Sequence, residues 1–238
     1  MKVYHGTAYK ALPYILKHGI KPRQDNEGNW PKAISREGFV YMTTCYPLYY
    51  AIQATKDNSK KIVIFEVETD LLRQSRLAPD EDFIGSVLSL QLKISIEEGM
   101  AMCLNPLDWR HEWRKGVANM GNCCYFGKIP LKAITRYAII DTKNNVALLM
   151  RGMDPSISLM NYRLMSETYL SLVAHVFDGA EIHDNKLDFE PTLEACGNNE
   201  ANFKQWQESH IQMKAELARL QELRATTVEV VELTSVNK

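Results

Sequence analysis

Three short stretches of this chain hold residue types that can act together on one small polar ligand. His5-Gly6-Thr7 follows Lys2-Val3-Tyr4, which reads as a strand, so an imidazole, a bare backbone and a hydroxyl fall at the strand's end. Binding residues gather at such rims because a rigid scaffold holds them while ligand still enters. Gly38-Phe-Val-Tyr41-Met-Thr43 reads as a second strand with Phe39, Tyr41 and Thr43 on one face. An aromatic face beside a small hydroxyl grips a planar amide ring. Tyr49 and Tyr50 follow on a helical run and offer a second ring, and Arg36 stands ready for a phosphate. The acids near these stretches are Asp80-Glu81-Asp82 and Glu112, with none between Glu112 and Asp141.

The elements that position them are legible in outline. A short helix with Leu12, Ile15 and Leu16 on one face follows the first strand, takes Pro13 in its first turn and stops at Gly19. A polar loop from Lys21 to Ser35 comes next, of a length that suits a lid or clamp. Pro47 opens a helix from Leu48, and Lys60 to Thr69 is the strongest strand in the chain. The segment from Phe83 to Ile96 fits helix or strand, Asn105 to Asn119 fits helix, and Gly121 to Ile129 returns to strand. Thr135 to Asp141 and Val146 to Met150, split by Thr-Lys-Asn-Asn, read as a hairpin. Beyond Asp154-Pro155 the pattern turns helical over Ile157 to Phe177. A polar linker from Glu181 to Glu200 follows, then a heptad seam of Phe203, Trp206, His210, Met213, Leu217 and Leu220. Thr227 to Leu233 offers a last strand.

Composition narrows the function classes. With 238 residues, 45% of them hydrophobic, the chain can bury one large core or two small ones. A net charge of −1 argues against a polycation, but the charge is uneven. Residues 1–61 carry 10 Lys/Arg against 4 Asp/Glu, and residues 101–151 carry 8 against 3. These basic segments also hold the candidate residues, which suits an anionic ligand such as a dinucleotide. Five cysteines form no CxxC pair, and with no secretory signal or membrane-length apolar run the reading is of a cytoplasmic protein with reduced thiols. Walker, G-x-S-x-G and HExxH motifs are missing, and His183-Asp184 stands too alone to argue a metal site.

YHGT, a helix ending in HGI, the GFVYMT strand and the Gly127-Lys-Ile-Pro130 turn together resemble the ADP-ribosyltransferase fold, across roughly residues 1–151. Poly(ADP-ribose) polymerases, RNA 2'-phosphotransferases and DNA-modifying toxins share that fold. The phosphotransferases match less well, since their multiple-arginine phosphate site has no clear counterpart. The resemblance implies an α+β fold: a split sheet around an NAD cleft over residues 1–153, with a helical extension over 154–238. It implies that His5 holds the adenosine-ribose hydroxyls and that the Gly6 backbone, with Thr7 beside it, pairs with the nicotinamide amide. Tyr41, beside Thr43, stacks on nicotinamide, and Tyr49 or Tyr50 closes the other side. Arg36, just before the Tyr41 strand, suits either the pyrophosphate or a phosphorylated acceptor. His5 and Tyr41 are then expected to face one cleft.

The chain departs from the family where a catalytic glutamate precedes the Ile-Pro turn. Counting back puts that slot at Met120 to Asn122, where Asn122 orients a ribose without supplying charge. The expected catalytic set is therefore His5, Tyr41, Asn122 and Glu112, with Asp80, Glu81 and Asp82 as substitutes for the acid. The implied reaction is transfer of ADP-ribose from NAD, a co-substrate, with no metal. A nucleic-acid acceptor is favoured over protein by the basic segments and by Trp109 and Trp113 beside Arg110 and Arg114. A toxin or defence effector, with an antitoxin or inhibitor as partner and no membrane role, fits that chemistry. Two other readings stay open: an NAD glycohydrolase, and a degenerate NAD-binding or protein-interaction module.

Overall fold

A computed structural model describes residues 1–22, 36–55, 60–152 and 159–233, and within these the side chains of all but 159–164 and Lys186. Among the described residues, seven strands form one antiparallel sheet: β1 (Lys2–Ala8), β2 (Phe39–Thr43), β3 (Lys61–Glu68), β4 (Leu77–Ala78), β5 (Asn122–Phe126), β6 (Ile134–Asp141) and β7 (Val228–Glu232). Their order is β4-β5-β2-β1-β3-β6-β7. The sheet has two well-laddered halves. β1 pairs with β3 through seven matched positions, from Lys2 opposite Glu68 to Ala8 opposite Ile62, and β2 pairs with β5 along its whole length. Between the halves, β1 and β2 share a single matched pair, Tyr4 opposite Thr43.

Alternation explains both faces. Val63, Phe65 and Val67 of β3 point to one side, where Val40, Met42 and the α1 (Leu12–His18) residues Leu12 and Ile15 pack with Trp113. Ile62 and Ile64 point to the other. There they meet Leu48 and Ala51 of α2 (Pro47–Gln53) and Leu172, Val176 and Phe177 of a long helix late in the chain. A strand covered on both faces reads as an unbroken apolar run, which is why the Lys60 to Thr69 segment stood out.

The remaining helices are α3 (Glu81–Leu92), α4 (Ile96–Met102), α5 (Trp113–Met120), α6 (Val146–Gly152), α7 (Leu159–Asp178) and α8 (Glu200–Thr227). The ambiguous segment after Phe83 is thus helix. The run from Asn105 divides into a 3-10 turn over Pro106–Glu112 and then α5. Gly121 ends α5 with φ of 74°, a left-handed backbone suited to glycine, and turns the chain into β5.

The expected hairpin after Asp141 is corrected: Val146 to Met150 is helical. The Asp141 carboxylate accepts from the backbone N–H of Lys143 at 2.8 Å and of Asn144 at 3.2 Å, which curls the chain. Leu148 and Leu149 of α6 then bury on the α2 side of the sheet. The anticipated last strand exists as β7 and joins the β6 edge, with Val228 opposite Ile140. The expected boundary between residues 153 and 154, and the loop from residue 23 to residue 35, fall outside the described residues. No helix among the described residues is long and apolar enough to cross a membrane.

Candidate functional site

The site begins where the sheet's two halves meet. One residue past the Tyr4–Thr43 pair, His5 Nδ1 lies 2.9 Å from the Tyr41 carbonyl oxygen. A carbonyl only accepts, so Nδ1 carries the proton and, in the neutral ring, Nε2 is an acceptor. His5 therefore meets Tyr41 through its backbone and not through its ring. Strand phase puts His5 with Val3 and the phenol of Tyr41 with Phe39, in different apolar clusters. With Tyr4 opposite Thr43 and His5 opposite Phe65, the two side chains leave opposite faces of the sheet, and the expectation that they face one cleft is corrected.

The Tyr41 phenol runs to the first turn of α3, donating to Glu81 Oε1 at 2.6 Å and accepting from the Arg36 backbone N–H at 2.7 Å. The same N–H lies 3.2 Å from that Glu81 oxygen. Burial, and then the neighbouring Glu81 charge, pushes the phenol far above its ordinary range. Burial also raises Glu81, against the lowering effect of the Tyr41 bond.

A second set converges beside the first. Asp80 N-caps α3, its Oδ1 accepting from Phe83 N at 3.2 Å. Asn122, the first residue of β5, is 2% exposed and donates through Nδ2 to the Tyr50 phenol oxygen at 3.2 Å. Its amide lowers the pKa of nearby Asp80, and its Oδ1 is buried without a partner among the described residues. Burial, followed by the charges of Asp82 and Glu81, drives Asp80 well above the usual carboxylate range. Burial raises Asp82 as well. Two acids this close do not both ionise readily, so the pair keeps one proton to a higher pH than an isolated carboxylate would. Tyr50 is raised by burial and then by the charges of Asp80 and Asp82.

The structure thus joins Tyr41 and Arg36 with Glu81 and sets Tyr50 and Asn122 beside Asp80, while His5 meets only the Tyr41 backbone. Other expected residues take other jobs. Thr43 is fully buried; its hydroxyl donates to Gly121 O at 3.0 Å and accepts from Cys45 N at 3.2 Å and Tyr46 N at 3.1 Å, seating the entry to α2. Tyr49 is 4% exposed in the α2-side core, leaving Tyr50 as the ring that reaches the site. A Cβ on Gly6 would sit 2.0 Å from Pro47 O, so close packing of α2 on β1 requires glycine without any ligand. Thr7 is half-buried in the β1–β3 ladder opposite Val63.

Glu112 is corrected. It lies at the N-terminus of α5, where its carboxylate pairs with Lys115 at 2.6 Å and faces His111 at 3.5 Å. The two tryptophans are corrected too. Trp113 is 6% exposed in the core, with Arg114 stacked 5.0 Å from its ring centroid, and Trp109 packs against the cluster of Phe83 and Ile84. The Trp113 ring is therefore not placed to stack a base, and Trp109 is half-buried. Asp184 pairs with Arg151 at 3.2 Å, and no group of metal-binding side chains occurs among the described residues. The residues that sequence reasoning undervalued are Asp80 and Glu81. Their signal was an N-cap: an aspartate, two further acids and then an apolar run is how a helix begins.

No protein-family model matches this chain, and no curated protein matches it. Eleven solved chains do match. One, named "EcPltA", is 12% identical, covers 58% of this chain and 75% of its own, and superposes with a TM-score of 0.35. A likeness at that score carries no argument about fold or activity, so the functional reading rests on the site.

Proposed function

We propose that this chain is an NAD-dependent ADP-ribosyltransferase whose acid comes from the first turn of α3. The observation that carries the reading is the Asn122–Tyr50 hydrogen bond, made beside Asp80, whose charge raises the Tyr50 phenol. Asn122 occupies the slot counted back from the Ile129-Pro130 turn, and Tyr50 is the second expected ring. These two meet each other and a carboxylate that can supply the charge asparagine lacks. Tyr41 and Tyr50 hold the nicotinamide ring. The glycosidic C–N bond breaks with its electron pair leaving on nicotinamide, and positive charge develops on the ribose carbon. The ionised member of the Asp80–Asp82 pair stabilises that charge, an effect strengthened by burial. The acceptor's nucleophile bonds to the same carbon and gives its proton to the ionised member of the Asp80–Asp82 pair.

A nucleic-acid acceptor is supported by the basic balance of residues 1–61 and 101–151, with 18 Lys/Arg (10 and 8) against 7 Asp/Glu (4 and 3). The test is incubation with adenylate-labelled NAD and separate pools of DNA, RNA and protein. Nicotinamide release with label on nucleic acid supports the proposal. Release without label supports an NAD glycohydrolase, and no release supports a binding module without catalysis.

A further inference from the structure

Glu81 stands apart from its neighbours in the acid triplet because of what it ties together. One of its carboxylate oxygens takes the Tyr41 O–H at 2.6 Å and the Arg36 N–H at 3.2 Å, and that N–H is also 2.7 Å from the phenol oxygen. The three groups close a triangle between the entry to β2 and the first turn of α3. A second tether runs alongside it, from Arg36 Nη2 to Met100 O on α4 at 3.4 Å. Glu81 is 4% exposed. A short O–H···O⁻ bond in a water-poor setting is stronger than a neutral one. A phenol held this way keeps one ring orientation, and the rotamer freedom it would lose on binding is already gone.

We propose that Glu81 is a positioning residue that sets the Tyr41 ring and the backbone at Arg36 before substrate arrives, and takes no part in the bond-breaking step. The role assigned to Tyr41 rests on the proposed NAD chemistry; the tie itself does not. Three substitutions separate the two. Glu81→Leu removes the acceptor, Glu81→Gln keeps an oxygen without its charge, and Tyr41→Phe removes the hydroxyl from the other side. The measurements are hydrogen exchange at the Arg36 amide and the KM and kcat for nicotinamide release.

The expected result is Arg36 exchange about tenfold faster or more in Glu81→Leu and Tyr41→Phe, with Glu81→Gln intermediate, as loss of a local tether predicts. KM for NAD should rise roughly five- to twentyfold while kcat stays within about threefold, the pattern of lost pre-organisation and not of lost chemistry. Tyr41→Phe combined with Glu81→Leu should be no worse than Glu81→Leu alone, since both remove one contact. Unchanged exchange at Arg36 in the single variants overturns the tie. A kcat loss of about a hundredfold at constant KM puts Glu81 in the chemistry and overturns its positioning role. A wild type that releases no nicotinamide overturns the NAD reading, and the exchange measurement still decides the tie.

Discussion

Two groups of buried carboxylates, one on the sheet and one at the start of α3, meet opposite environments. Glu66 on β3 is 1% exposed, and Asp80 and Glu81 are 5% and 4% exposed. Glu66 accepts from Arg136 Nε at 2.9 Å, faces Arg136 Nη2 at 2.7 Å, and accepts from Thr135 at 2.7 Å. Burial alone would raise its pKa, yet the bonds from Arg136 and Thr135 hold it below the ordinary value. Arg136 continues to Asp178 at 2.6 Å, fastening the end of α7 to β6. Asp80, Glu81 and Asp82 form no ion pair with any lysine, arginine or histidine among the described residues, and all three are raised. A buried acid balanced by a cation is explained by architecture. Buried acids satisfied only by a phenol, an amide and backbone N–H groups cost stability, and such costs collect at functional sites.

The comparison can be broken first at its structural end. Arg136→Met leaves Glu66 buried without its main partner and should cost about 3–5 kcal/mol in urea unfolding, as removal of one member of a buried pair does. A loss below about 1 kcal/mol would reduce the pair to the rank of a surface bridge and remove the contrast. Next comes the joint between the sheet halves. Gly6→Ala forces a methyl against the Pro47 carbonyl and should cost about 1–3 kcal/mol, read as a lowered Tm. If stability holds and only NAD turnover falls, Gly6 is a ligand residue after all.

The smallest effect is a matter of sign. The depressed pKa of Glu66 gives stability present above its unfolded value of 4.5 and lost as pH falls through the folded value. The raised pKa of Asp80 does the opposite: its charge costs stability above the folded value. That cost vanishes as pH falls toward the unfolded value of 3.8. Unfolding curves against pH should therefore show Glu66→Gln weaker than wild type at neutral pH, with the deficit closing below pH 4.5. Asp80→Asn keeps a competent N-cap and should be no less stable than wild type at high pH, any advantage closing as pH falls. Parallel curves for the two variants would mean that the two sites do not differ.

Much of the scaffold was legible in the sequence because its signals are local. Gly19 as a helix stop, Pro47 at a helix start and the apolar run of β3 each follow from a few adjacent residues. The hairpin after Asp141 failed because Asp141 uses its side chain to start a helix, and a Thr-Lys-Asn-Asn loop looks the same in either case. At the site, Asn122 and Tyr50 were named from the family resemblance, but that they touch is a tertiary fact. Glu112 was favoured over the acids before Phe83 because it lies closer in sequence to the slot. The fold reverses that order, since Asp80 comes near enough to Asn122 to feel its amide while Glu112 turns to Lys115. Trp113 illustrates the same limit: flanking arginines suggested a base-stacking surface, and burial decided otherwise.

The central claim is that the charge for glycosidic cleavage comes from α3, and nicotinamide release at saturating NAD tests it most directly. Wild type, Asp80→Asn and Glu112→Gln are compared under one set of conditions. Asp80→Asn keeps the N-cap and the shape while removing the charge, and should lower kcat by about 10²–10³, as loss of a preorganised electrostatic contact does. Glu112→Gln, which gives up only the pairing with Lys115, should stay within a few-fold of wild type. Full turnover by Asp80→Asn, or a collapse confined to Glu112→Gln, would contradict the account.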